Sequence, residues 1–112
     1  MKIDTGSEYL SHLHTVAERD ADALIVAERS YGDSWKKRGG AGAYMMLARK
    51  WDRLERAVER SSYNIFAAAE ADTRPEGIID DLRDLRRYLL LVEAELIARG
   101  VVHGQLAKDG GA

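Results

Sequence analysis

Tyr44-Met45-Met46-Leu47-Ala48-Arg49-Lys50-Trp51-Asp52-Arg53-Leu54-Glu55 is the stretch whose reading decides the fold. Tyr44, Leu47, Ala48, Trp51, Leu54 and Val58 recur at three- and four-residue spacing. At about 100° per residue such positions form one stripe, so this segment is read as an amphipathic helix. Glu55 falls inside that stripe. A carboxylate facing a core costs several kcal/mol unless a cation or a proton meets it. A metal ion, an Arg or Lys from elsewhere, and protonation are the three ways to meet it.

The same period extends outward in both directions. A first helix is expected from about Glu8 to Ser30, with Tyr9, Leu10, Leu13, Ala17, Leu24 and Ala27 as its stripe. Thr5-Gly6-Ser7-Glu8 has the form of a capping box, and Gly32 is the expected stop. The second helix is expected from about Ala43 to Arg60, then a short piece from Tyr63 to Glu70 capped by Ser61-Ser62. Thr73-Arg74-Pro75-Glu76 is a second capping box with proline at the first helical position. It opens a third helix to Arg99, striped by Ile78, Leu82, Leu85, Leu89, Val92 and Leu96 and stopped by Gly100. The fold class read from this pattern is all-α, a bundle of three long helices plus a short one, in one domain spanning 1–112 with a frayed tail at about 101–112.

Composition narrows the function classes. With 112 residues, 46% apolar and 32% charged, the chain is too apolar for disorder, and it has no apolar run of membrane-spanning length. A formal net charge of −2 argues against nucleic acid as the main partner. Cysteine is absent, which excludes disulfides and thiolate metal sites and fits the cytoplasm. A core this small with wide stripes favours homo-oligomerisation, a homodimer being the simplest form.

The chemistry-bearing residues fall into two groups. Residues 31–42 read Tyr-Gly-Asp-Ser-Trp-Lys-Lys-Arg-Gly-Gly-Ala-Gly. This is either a plain helix connection or a loop that closes on an anion with Lys36, Lys37, Arg38 and glycine N–H groups. It is not a P-loop, because the Gly-x-x-x-x-Gly-Lys spacing is missing. Trp35 either stacks on a base or plugs the end of the bundle.

The second group is acidic. Glu28 and Asp20 on the first helix, Glu55 on the second, and Asp81 and Asp84 on the third lie on or beside the apolar faces. Asp84 and Tyr88 share an edge with Asp81. Asp52 and Asp80 are read as solvated. If the bundle brings Glu28, Glu55, Asp81 and Asp84 together, an all-oxygen cluster of this kind suits Mg²⁺ or Mn²⁺ and a phosphate-bearing substrate. The bland alternative is that each acid is solvated or paired with an arginine such as Arg53, Arg83 or Arg87. His12, His14 and His103 lack ligand spacing, and Met45-Met46 is read as core filling.

Asp52-x-x-Glu55 followed by Asp81-x-x-Asp84 on a later helix resembles the MazG-like all-α nucleoside triphosphate pyrophosphohydrolases, with Asp at two positions where that family's pattern has Glu. The chain also resembles phage and bacterial proteins of the nucleotide modification associated domain 1 type. Tyr31-Gly32-Asp33-Ser34-Trp35, Lys50-Trp51-Asp52-Arg53-Leu54-Glu55, and Glu76-Gly77-Ile78-Ile79-Asp80-Asp81 with Asp84 and Tyr88 carry that likeness, over roughly residues 20 to 95.

The resemblance implies Mg²⁺-dependent hydrolysis of a nucleoside triphosphate, ribo or deoxy, to monophosphate and pyrophosphate. Glu28, Glu55, Asp81 and Asp84 would hold metal, and Glu55, Asp81 and Asp84 would serve catalysis. Lys36, Lys50 and Arg53 would neutralise phosphates, Tyr31, Trp35 and Tyr88 would contact the nucleotide, and Asp33 would bind metal or order the loop. The rival expectations are a nucleotide-binding module without turnover, and a helical oligomer whose acids pair with arginines across a dimer.

Overall fold

A computed structural model describes residues 7–101. The described chain is all-helical: α1 (Glu8–Ser11), α2 (Leu13–Tyr31), a 3-10 turn (Ser34–Lys36), α3 (Gly39–Glu59), α4 (Ile65–Ala71) and α5 (Ile78–Ala98). Three long helices of 19, 21 and 21 residues and one of seven give the expected architecture, with α1 as an additional single turn. No helix among the described residues is long and apolar enough to cross a membrane. The Thr5 cap, His103 and the tail beyond Val101 lie outside the described residues.

Four boundaries differ from the sequence reading. The first helix breaks at His12, so that α1 and α2 are separate elements. α3 begins at Gly39, taking in glycines that the sequence pattern leaves in the loop; Gly39 itself has φ 75°, a left-handed value that suits glycine at the turn. α4 is capped by Asn64, whose Oδ1 accepts from Ala67 N–H at 3.1 Å, and not by Ser61-Ser62.

α5 begins at Ile78 and not at Pro75. Its first turn is satisfied by two aspartates: Asp72 Oδ2 accepts from Ile78 N–H at 2.8 Å, and Asp80 Oδ2 accepts from Gly77 N–H at 2.9 Å. A Cβ added at Gly77 would stand 2.9 Å from Asp72 Oδ2, so glycine is what lets that carboxylate reach the helix end.

α3 and α5 run antiparallel. Lys50 pairs with Asp84 at 3.3 Å, and three residues along both helices Arg53 pairs with Asp81 at 2.9 Å. This ladder lies in the interface and turns both helices. The buried face of α3 carries Ala43, Leu54 and Val58, with Leu47, Ala57 and Lys50 half-buried. Relative to the stripe read from sequence it is rotated by roughly 50–60°.

Tyr44, Trp51 and Met45 are consequently exposed, and so is Glu55, which the sequence placed against the core. On α5 the Ile78, Leu85 and Val92 edge faces inward, while Leu82, Leu89 and Leu96 are left outside. Those six positions alternate four- and three-residue steps, the spacing of a helix-pairing seam.

The apolar core is small and sits at one end, where α3, α4 and the start of α5 meet. Leu54, Val58, Ala68 and Ile78 are buried, with Ala57, Ile65, Ala69 and Leu85 packed around them. α2 rests on α5, and its one buried side chain is Asp20.

Neighbouring isoleucines test this register. Ile78 is 2% exposed and Ile79 is 65% exposed. Ile78→Ala should lower stability by about 2–4 kcal/mol, read from the urea midpoint at unchanged slope. Ile79→Ala should stay within about 0.5 kcal/mol of the parent.

Candidate functional site

Among the described residues the most deeply buried side chains are Ile78 and two aspartates, Asp20 and Asp81. Each aspartate is met by two guanidinium groups. Asp81 Oδ1 is 2.9 Å from Arg53 Nε, and its Oδ2 is 3.2 Å from an Arg74 nitrogen. Asp20 Oδ1 accepts from Arg87 Nε at 2.8 Å and from a terminal Arg86 nitrogen at 2.9 Å, and Oδ2 accepts from Arg86 Nε. Arg86 therefore grips Asp20 with both prongs of its fork. That hydrogen bond and the second arginine outweigh burial and hold the Asp20 carboxyl down at about 2.

Arg74 also binds Asp72, through its Nε at 3.0 Å and a terminal nitrogen at 2.8 Å. Asp72 is held well below the ordinary carboxylate range by Arg74 first, then by backbone N–H groups. Asp72, Arg74, Asp81 and Arg53 thus form one chain of charge-assisted contacts across the start of α5, extended by Arg53 to Glu76 at 3.4 Å.

The proposed metal set does not assemble. Asp81 has both oxygens committed to arginines, Glu55 is exposed on α3, and among the described residues no group of three or more acidic, histidine or cysteine side chains is placed to hold an ion. The sequence reading assumed that acids on separate apolar faces converge. Of the four, Asp81 is taken by Arg53 and Arg74, Glu55 faces outward, and Glu28 and Asp84 alone border a common cleft.

Part of the expected site does come together. A cleft of about 270 Å³ between α2, the 3-10 turn and α5 is lined by Glu28, Tyr31, Trp35, Asp84, Arg87 and Tyr88, with Leu24, Ala27 and Leu91 as its apolar wall. Glu28 and Tyr31 end α2, Trp35 stands on the turn, and Asp84 and Tyr88 are one helical turn apart on α5. Lys50 enters from α3: its ammonium bonds Asp84 Oδ2 at 3.3 Å and stands 5.8 Å from the centre of the Tyr88 ring.

Three aromatic rings, two carboxylates and one cation, Arg87, therefore border one cavity, and Lys50 reaches its edge through Asp84 and Tyr88. Such a set can sandwich a planar ring and contact a polar or charged substituent. Trp35 is half-buried and also borders a second, smaller cleft beside Ala43 and Val92, so it wedges the turn against the bundle while keeping a face on the cavity.

The loop cations are placed differently from the anion-loop reading. Lys36 bonds Glu95 Oε1 at 2.8 Å and lies 3.8 Å from Asp33. The Glu95 carboxylate raises the Lys36 ammonium, and Lys36, then Arg99, lowers Glu95. Lys36 thus fastens the turn to α5. Asp33 is exposed beside it.

Sequence reasoning missed Arg86, which lies next to the weighed Arg87, and Arg74 as the second partner of Asp81. It also missed the arginines Arg49, Arg56 and Arg60. Together with Arg53 these stand at steps of four, three and four, a helical spacing that could have been noticed. Arg83, also weighed as a partner, bonds the neighbouring Asp80 at 3.0 Å.

Comparison of the chain with protein-family models, with curated proteins and with solved structures gives no match.

The pinned Asp20 has a pH signature. Its folded value lies below the ordinary 3.8, so the stability it contributes is present above about pH 4 and disappears as pH falls towards about 2. The change from 3.8 to about 2 corresponds to about 2.5 kcal/mol. Urea midpoints between pH 2 and 6 should fall more steeply for the parent than for Asp20→Asn, the two curves converging at the acid end.

Proposed function

We propose that this protein is a nucleotide-binding helical module and that the cleft between α2, the 3-10 turn and α5 is where the nucleotide sits. The observation that supports this most is the gathering of Glu28, Tyr31, Trp35, Asp84 and Tyr88 around one cavity from three separate segments. Five residues singled out for substrate or metal on sequence pattern alone border the same space. The rings supply stacking surface for a base, at about 1–3 kcal/mol per stacked base. Arg87 and Lys50 stand at the edge to meet negative charge. The cavity takes the base and sugar end, and phosphates would extend past its rim.

Membership of the MazG-like or nucleotide modification associated group belongs to this proposal, and so do the cytoplasm as compartment and self-association. The outward row Leu82, Leu89 and Leu96 on α5, with Tyr44 and Trp51 on α3, is apolar surface that a homodimer would cover.

Hydrolysis of a nucleoside triphosphate to monophosphate and pyrophosphate is the second reading. It is favoured by the shared placement of Glu28 and Asp84. Two carboxylates are enough for Mg²⁺, or for Mn²⁺ in its place, when water and substrate phosphates fill the remaining positions. Held there, the ion would neutralise phosphate charge. Glu55 and Asp81 have no part in that set. Asp84 would exchange its contact with Lys50, and Lys50 would then be released towards a phosphate.

Calorimetric titration with a panel of ribo- and deoxynucleoside triphosphates tests the module. Trp35→Ala should weaken binding by about tenfold or more, and failure of every nucleotide to bind would remove the proposal. Pyrophosphate release measured with Mg²⁺ separates the two readings. Turnover that drops about 100-fold or more in Glu28→Gln and Asp84→Asn supports the hydrolase, whereas nucleotide recovered intact from a saturated complex leaves the module alone.

A further inference from the structure

We infer that the cleft between α3, α4 and the 72–78 connection is a second site, independent of the nucleotide cleft, that takes a small, multiply charged phosphate compound. This cleft is the larger of the two, about 850 Å³ against 270 Å³, and arginine dominates its polar lining. Arg49, Arg53, Arg56 and Arg60 project from one strip of α3, and Arg74 faces them from the connection. Asp52 and Asp72 are the carboxylates on the same lining.

These five arginines divide into two kinds. Arg53 and Arg74 are held by Asp81, Asp72 and Glu76, so their guanidinium planes are fixed before any ligand arrives. Arg49, Arg56 and Arg60 have no acidic partner within 4.0 Å among the described residues. Three unneutralised cations crowd one cavity of a chain whose formal net charge is −2.

Like charges at i, i+4 spacing on a helix destabilise it slightly, so the strip carries a standing cost that an anion would remove. A guanidinium offers a planar fork that matches phosphate oxygens two at a time. The floor is Ala57, Ala68 and Ile78, which keeps water off one side of the contact. Ser61 and Thr73 add hydroxyl groups at the rim. The cavity is bounded by α4 and the connection, which favours a compact polyphosphate over an extended strand.

The probe is inorganic tripolyphosphate, titrated calorimetrically into the full chain at low salt. Saturable binding should appear, should weaken steadily as salt rises, and should fall about tenfold for each of Arg56→Gln and Arg60→Gln. Both positions are exposed, so helix content by circular dichroism should not change. Arg19→Gln and Arg29→Gln on α2, away from the cleft, should bind as the parent does. Trp35→Ala should leave tripolyphosphate binding intact, which separates this site from the nucleotide cleft.

Tripolyphosphate affinity unchanged in Arg56→Gln and Arg60→Gln would overturn the inference, as would equal losses in the α2 controls. Binding confined to a single-stranded oligonucleotide, with none to tripolyphosphate, would overturn it in favour of a nucleic-acid surface.

Discussion

A buried carboxylate held between two guanidinium groups is the contact on which the arrangement depends, and it occurs twice. Asp81 fixes α3 to the start of α5 through Arg53 and Arg74, and Asp20 fixes α2 to the middle of α5 through Arg86 and Arg87. Stripping a carboxylate of water is expensive, and an arginine fork repays it only when aligned. Such a contact has one acceptable geometry. Apolar stripes slide and rotate at little cost, so in a bundle with so small a core the ion pairs select the helix faces.

That selection explains where the sequence was legible. Helix class followed from the spacing of apolar residues, and Gly32 and Gly100 ended α2 and α5 with positive φ of 61° and 82°. The rotation of α3 was not legible. Trp51 and Tyr44 make the apolar stripe look centred near Glu55, and only the pairing of Lys50 and Arg53 with residues more than 25 positions away moves the buried face towards Leu54. Distant pairing is what a single sequence conceals. Asp20 and Arg86 are 66 residues apart, and neither advertises the other.

The candidate site was legible in its membership more than in its chemistry. Tyr31, Trp35, Asp84 and Tyr88 were marked by pattern, and the fold places them with Glu28 around one cavity. Their grouping follows from short-range geometry: the tight turn after Gly32 returns the chain against α5, and Lys36 secures it on Glu95. The division of acids between metal and arginine was hidden, because it depends on which arginines arrive from other helices. Glu55 lost its supposed role through rotation, and Asp81 through occupation of both its oxygens.

The attachment of α2 has a further consequence. A helix whose one buried side chain is an ion-paired aspartate has little apolar burial holding it down, and sparse apolar contact of this kind goes with local opening at lower free energy than a packed core. That helix supplies one wall of the aromatic cavity, and Arg87 belongs both to the clasp and to the cavity lining. Occupancy of the cavity and closure of α2 are therefore thermodynamically linked. Any compound that fills the space must also shift α2 towards its docked state, so recognition and local folding become the same equilibrium.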